Sequence, residues 1–296
     1  MAPEYYVFTG GERVPRHVTH VLIDKALKFV PARAFYAHPN IEELICHDGV
    51  EKIEEWAFYR CPSLRRVIMP GVKEVEEWAF GGCGALTYVE CGKLERIGRA
   101  AFTRCESLSG VDLPSIKIVA LEVFEGCIHL TNAKFGKDLE SFGRGAFWGC
   151  NSLERITIPL KNGMITADDT FLYCEELNHI DLVEGAVLND TINALHMEEW
   201  RNDMNEVIGA ISQTLSNAHE DYWDKITGEV YKGGKARSIR SWIRSVLHQI
   251  VYYKAEHQRI LNEATSTLQR ALPNDIVFKN VLPFVELPSY TFQGED

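Results

Sequence analysis

Residues 57–70 read AFYRCPSLRRVIMP, and the string returns down the first half of the chain: AFTRCESLSGVDLP at 101–114 and AFWGCNSLERITIP at 146–159. Aligned on their phenylalanine, the units fall at Phe35, Phe58, Phe80, Phe102, Phe124, Phe147 and Phe171, in steps of 23, 22, 22, 22, 23 and 24 residues. A fixed period in this range marks a solenoid, in which one unit cannot bury its own apolar face and stacked neighbours bury it for each other. Three residues after each Phe stands Cys61, Cys83, Cys105, Cys127, Cys150 or Cys174, with His38 taking that place in the first unit. At i and i+3, Phe and Cys share one face of a short helical turn. Five residues before most of the Phe sits Val30, Ile53, Val75, Ile97 or Val119, and Phe142 stands so before Phe147.

After each Cys the spacing changes to apolar-x-x-apolar-x-apolar: Leu64, Val67, Met69; Leu108, Val111, Leu113; Leu153, Ile156, Ile158; Leu177, Ile180, Leu182. The last two members alternate with period two, as a strand buried on one face requires. Pro70, Pro114 and Pro159 close strands, where the missing backbone donor does no harm. Val18, Val21 and Ile23 begin the series one unit earlier, so eight strands are expected from near residues 18, 41, 64, 86, 108, 130, 153 and 177, side by side in a parallel ladder. Residues 1–17 read as an N-terminal cap, with Tyr5, Tyr6, Val7 and Phe8 covering the open end. The fold class is α/β: a solenoid of about seven repeats over 18–185, followed by a helical region over 186–296.

The helical region carries two periodic runs. Met197, Trp200, Met204, Val207, Ile208, Ile211 and Leu215 predict a helix over 191–218, with Asn189 or Asp190 as its N-cap. Residues 219–235 hold three glycines and read as a loop. Ile239, Trp242, Ile243, Val246, Ile250, Tyr253, His257, Ile260, Ala264 and Leu268 predict a long helix over 236–272, stopped by Pro273. The two form a hairpin that either caps the last repeat or supplies a seam for a homodimer. The tail 272–288 is an apolar segment with three prolines that packs back along the helices.

Little in the chain reads as chemistry. Cys46 and Cys91 fall at the third strand position, so repeat phase makes all eight cysteines inward-facing, as small buried residues; no CxxC supports a metal site or redox relay. Asp168 and Asp169 read as caps of the following helical turn in an irregular seventh unit. GEVYKGGKA at 228–236 misses the phosphate-loop spacing and reads as a solvated turn, and Lys232, Lys235, Arg237, Arg240 and Arg244 read as a polar helix face. The sequon Asn189-Asp190-Thr191 is expected to be silent. No catalytic residue, cofactor or metal is expected. A net charge of -11 argues against nucleic-acid or anionic-membrane partners. MAPEYYVFTGGERVPRH does not look like a signal peptide, and no apolar run approaches the ~18 residues of a membrane helix, so a cytoplasmic or nuclear location is expected.

The unit L-x-x-I-x-x-x-A-F-x-x-C-x-x-L-x-x-V-x-I-P resembles the BspA-type leucine-rich repeat, close to the treponemal repeat class, in phase over about residues 18–183. With its helical tail and YKAEH at 253–257 the chain is also similar to the intracellular repeat proteins expanded in diatoms. The resemblance implies a curved, non-catalytic solenoid that binds proteins and surfaces. Many members are secreted; because residues 1–17 do not look like a signal peptide, this chain is expected to depart from them.

Strand alternation then names the face on which a protein partner is expected. One outward row is His20, Glu43, Arg66, Tyr88, Gly110, Asn132, Arg155 and His179; the other is Leu22, Ile45, Ile68, Glu90, Asp112, Lys134, Thr157 and Asp181. These rows vary while the inward positions do not. The candidate binding residues are Glu43, Arg66, Ile68, Tyr88, Glu90, Asp112, Asn132, Lys134, Arg155, Thr157, His179 and Asp181. Leu22, Ile45 and Ile68 make an apolar strip that is either exposed or covered by residues 1–17.

Overall fold

Each triplet becomes a strand that begins two residues after its first member. The computed structural model describes residues 5–183, 198–218 and 234–271. They belong to two compact units, Met1–Val183 with Ile211–Arg240, and Glu184–Ala210 with Ser241–Asp296. In the first unit the triplet strands are β2 (His20–Ile23), β4 (Glu43–Ile45), β6 (Arg66–Ile68), β8 (Tyr88–Glu90), β10 (Gly110–Leu113), β12 (Asn132–Phe135), β14 (Arg155–Ile158) and β15 (His179–Leu182). All pairing is parallel. The expected single ladder is in fact two sheets, β1-β2-β4-β6-β8 and β10-β12-β14-β15, because pairing lapses between β8 and β10.

The cap adds a strand. β1 (Tyr5–Phe8) pairs in parallel with β2 through Tyr5↔His20 and Val7↔Leu22. Phe8 is buried and meets Phe35 at 4.8 Å. Residues 5–8 therefore lengthen the ladder, and Val7, 48% exposed, joins Leu22, Ile45 and Ile68 in one row. Those three are half-buried.

The apolar residues five before each Phe belong to a second ladder, which sequence spacing alone does not reveal. Its strands are β3 (Phe29–Val30), β5 (Lys52–Ile53), β7 (Glu74–Val75), β9 (Arg96–Ile97), β11 (Ile118–Val119) and β13 (Ser141–Phe142), paired in that order without a break. Two-residue strands show no period, so they are visible only once the units are stacked.

The segment around each Phe is not the expected helical turn. Every second amide closes a reverse turn, Ala57 to Glu54 O, Tyr59 to Trp56 O and Cys61 to Phe58 O at 3.2 Å, while the amides between them reach the next repeat: Trp56 to Glu77 O, Phe58 to Ala79 O and Arg60 to Gly81 O. Helix is blocked because the residues two before and two after Phe58 are left-handed, Trp56 with φ 60° and Arg60 with φ 57°. The same pair recurs as Arg33/Ala37, Trp78/Gly82, Ala100/Arg104, Glu122/Gly126 and Gly145/Gly149. These turns add a third line of hydrogen bonds between repeats.

The core is a stack of rings beside a ladder of thiols. Successive pairs from Phe35–Phe58 (4.6 Å, 9°) to Phe147–Phe171 (5.4 Å, 12°) lie nearly parallel. Each ladder cysteine donates its S–H to the Phe carbonyl of the preceding repeat, from Cys61 to Phe35 O at 3.0 Å to Cys174 to Phe147 O at 3.1 Å. His38, in the cysteine's place in the first unit, instead sets its Nε2 3.1 Å from Pro15 O. The inward placement of all eight cysteines stands, and six of them are donors as well as fillers.

The seventh unit departs from expectation. Asp168 and Asp169 cap no helix: Asp169 pairs with Arg144 at 2.7 Å, and Asp168 pairs with Arg240. Nor is the basic run simply a solvated face. Lys235 is 5% exposed and its Nζ donates to Cys174 O and, at 2.6 Å, to Glu175 O. Lys235 and Ala236 thus belong to a buried helix start, where a solvated turn was expected.

The helices are α1 (Glu198–Ser216) and α2 (Gly234–Ala271). In the second unit they run antiparallel: Trp242 Nε1 donates to Val207 O at 2.9 Å, and further along Tyr253 donates to Asp203 at 2.6 Å and stacks on Trp200 at 5.1 Å. Ile243, Val246 and Ile250 follow the predicted buried stripe. Asn189, Asp190 and the sequon, Met197, residues 219–233 with Lys232, and the tail 272–288 lie outside the described residues.

Candidate functional site

The outward rows form as strand alternation requires. Val21, Leu44, Val67, Ala133 and Ile156 are fully buried, and the residues flanking each of them turn outward. Register places His20, Glu43, Arg66 and Tyr88 in line, with Leu22, Ile45, Ile68 and Glu90 beside them. Beyond the break stand Gly110, Asn132, Arg155 and His179, beside Asp112, Lys134, Thr157 and Asp181. The twelve candidate residues therefore form two groups, not one continuous face.

Within each group, charges are arranged across the rungs. Arg66 Nε lies 3.3 Å from Glu43, and its guanidinium sits 5.2 Å from the Tyr88 ring. Tyr5 donates to Glu43 at 2.6 Å, and that bond raises the Tyr5 hydroxyl above its ordinary pKa. Arg155 Nη1 meets both oxygens of Asp181 at 2.8 Å. Such exposed pairs add little stability, but they fix side-chain positions on a rigid ladder. Arg66, Tyr88, Glu90, Asp112, Lys134, Arg155 and His179 are exposed; Glu43, Ile68, Asn132, Thr157 and Asp181 are half-buried.

Where β8 and β10 fail to pair there is a notch of about 370 Å³, lined by Tyr88, Glu90, Asp112, Asn132 and Lys134 among others. Its apolar lining includes Val89, Val111 and Pro114. Val89 is half-exposed at a position that is fully buried in its neighbour Val67. Cys91 lines the notch too; burial pushes its thiol up to about 12, and the nearby Asp112 and Glu90 carboxylates add to the rise. Five of the twelve candidate residues thus meet at one concavity, and sequence reasoning marks them only as members of a row.

Two further surfaces were missed. A cavity of about 410 Å³ lies on the second ladder, lined by Glu55, Glu74, Glu76, Glu77, Arg96 and Arg99 among others. Beside the turns, Tyr36, Trp56, Tyr59 and Trp78 cluster, with Trp56 and Trp78 stacked at 5.4 Å and Arg60 5.1 Å from the Tyr59 ring. The signal for the cluster is in the sequence: Glu-Glu-Trp-Ala-Phe occurs at 54–58 and again at 76–80. Among the described residues no group of His, Cys, Asp and Glu is assembled to hold a metal, and no helix is long and apolar enough to cross a membrane.

Comparison with known proteins places this arrangement. Similar solved structures include a leucine-rich repeat protein from Bacteroides ovatus (27% identity, TM-score 0.48, covering 56% of this chain and 43% of that one). Others are the T. pallidum leucine-rich repeat protein (23% identity, TM-score 0.40, covering 60% and 83%) and the pneumococcal vaccine antigen PcpA (16% identity, TM-score 0.35, covering 56% and 57%). The chain spans less than half the length of the Bacteroides ovatus protein. No curated protein matches it. The model of the BspA type leucine rich repeat region matches in 6 copies, over residues 28–118 and 95–194. That is more than half of the 296 residues, and the chain belongs to the BspA-type leucine-rich repeat family.

Proposed function

We propose that this protein is a non-catalytic interaction module that binds a protein partner on its exposed strand face. Repeats of this family generally mediate protein–protein interaction. The observation that carries the reading is the face itself: two rows of varied polar and aromatic side chains on strands whose neighbours are fully buried, with Arg66, Tyr88 and Arg155 of the types enriched at binding hot spots. Because the ladder and the ring stack hold it in advance, binding has little ordering to overcome. Affinity capture with the full chain, compared with Arg66→Glu plus Tyr88→Ala, tests it: loss of a specific partner is expected, and an unchanged set of partners rejects the face. Eight buried free thiols fit a reducing compartment, so we place the protein in the cytoplasm or nucleus.

A second reading rests on α2, where Val251 and Tyr252 are 59% and 54% exposed. Self-association through that stretch would make the protein a dimer. Sedimentation of the full chain beside Val251→Glu decides: a dimer that becomes a monomer supports this reading, and a monomer in both ends it.

A further inference from the structure

On the footing that the strand face binds a protein, we propose that the notch between β8 and β10 seats a basic side chain of that partner, an arginine carried on an extended segment. Glu90 and Asp112 line the notch together, and among the described residues neither has a cation within ion-pair distance. Their counterparts elsewhere on the face do: Glu43 has Arg66 and Asp181 has Arg155. Among the described residues the Glu90 carboxylate has one hydrogen bond, from the Tyr88 hydroxyl at 3.4 Å. Lys134 stands next to Asp112 in register yet forms no ion pair with it, and it forms part of the notch wall.

The rest of the lining suits the same occupant. Val89 and Val111 offer apolar contact to the methylene stem of a long basic side chain, which buries its stem while its head stays polar. Tyr88 already accepts one guanidinium, that of Arg66, so its ring suits a planar cation. The volume of about 370 Å³ accommodates a whole side chain. Because β8 and β10 do not pair, their facing backbone groups are free of each other and stand beside the seat, where an extended segment finds donors and acceptors. An acidic partner side chain meets repulsion in the same place, so the notch selects by charge.

The test uses the full-length protein and a defined probe, N-acetyl-arginine N-methylamide, followed by amide NMR shifts, with the neutral citrulline analogue as control. Saturable shifts confined to residues 88–92, 110–113 and 132–134 are expected. Citrulline, or the variant Glu90→Gln plus Asp112→Asn, should bind at least about tenfold more weakly, one charge-assisted hydrogen bond's worth. Lys134→Met should tighten binding, because it removes the competing cation. No saturable shift, shifts elsewhere, or shifts indifferent to Glu90 and Asp112 overturns the seat. A failed titration beside partner loss in Arg66→Glu plus Tyr88→Ala removes the notch alone and leaves the face. Unchanged capture removes the face.

Discussion

The Cys127 thiol, which donates inside the phenylalanine stack, is held in its neutral form. Burial pushes Cys46 and Cys127 up to about 12, as it does Cys91. In the unfolded chain such thiols ionise near ~8.5. A raised native pKa means that their contribution is complete below the unfolded value and is lost as pH climbs from there toward about 12. Each thiol then forfeits up to roughly 1.4 kcal/mol per pH unit across that window. The denaturant midpoint should fall between about pH 8.5 and 10, with thiolate absorbance appearing only as the chain unfolds. A constant midpoint would show that the thiols ionise equally in both states. Glycines make a sharper residue-scale contrast. A Cβ on Gly136 would lie 1.8 Å from Pro114 O of the preceding repeat, whereas one on Gly84 meets nothing within 4 Å. Gly136→Ala should therefore cost about 3 kcal/mol or more and Gly84→Ala within about 0.5 kcal/mol, by urea unfolding.

At the scale of elements, the start of α2 is fastened to the last repeat by a buried cation. Lys235 donates to Cys174 O and Glu175 O; in earlier repeats the carbonyl at the Glu175 position accepts an amide of the following repeat, as Gly84 O does from Ser107 and Asn151 O from Glu176. Lys235→Met keeps the stem and removes the donors, so about 2 kcal/mol should be lost, with faster hydrogen exchange in the last repeat. Unchanged exchange there would mean that the contact does not hold the end. This fastening was not legible in the sequence, because a lysine among basic residues at a helix start reads as solvated until the chain is folded. The triplet strands were legible, since alternation of buried and exposed positions is local. The left-handed turns were hidden because Arg33, Trp56, Trp78, Arg104 and Glu122 occupy φ values that sequence normally signals with glycine. The notch was hidden for a different reason: Tyr88-Val89-Glu90 and Gly110-Val111-Asp112 both carry a normal pattern, and only their failure to pair opens the space. The candidate rows were thus readable residue by residue, and their division into two groups was not.

For the solenoid as a whole, the break in the first ladder raises the question of whether its two halves fold separately. Four other lines cross the junction, the turn hydrogen bonds such as Phe80 N–H to Ala101 O and Phe102 N–H to Val123 O among them. β7, β9 and β11 pair without interruption, the Phe80–Phe102 and Phe102–Phe124 rings stack at 5.2 and 5.8 Å, and Cys105 and Cys127 donate to Phe80 O and Phe102 O. In a nearest-neighbour array, cooperativity survives while the interface term across each junction stays favourable, and here only the strand-pairing part of one junction is missing. The solenoid should therefore unfold as one unit, with the notch as its weakest joint. Phe102 is the test residue, because it is 3% exposed and lies between two stacked rings. Phe102→Ala should cost about 3–5 kcal/mol, more than the one joint that already lacks its strand bonds can lose and remain coupled. Native-state hydrogen exchange should then show one protected level across residues 20–182 in the wild type and two levels in the variant, divided between β8 and β10. If the wild type already shows two levels, the spine does not couple the halves, and the notch is a hinge. If the variant keeps one level, the second ladder and the turn hydrogen bonds are enough to hold the array together without the ring stack.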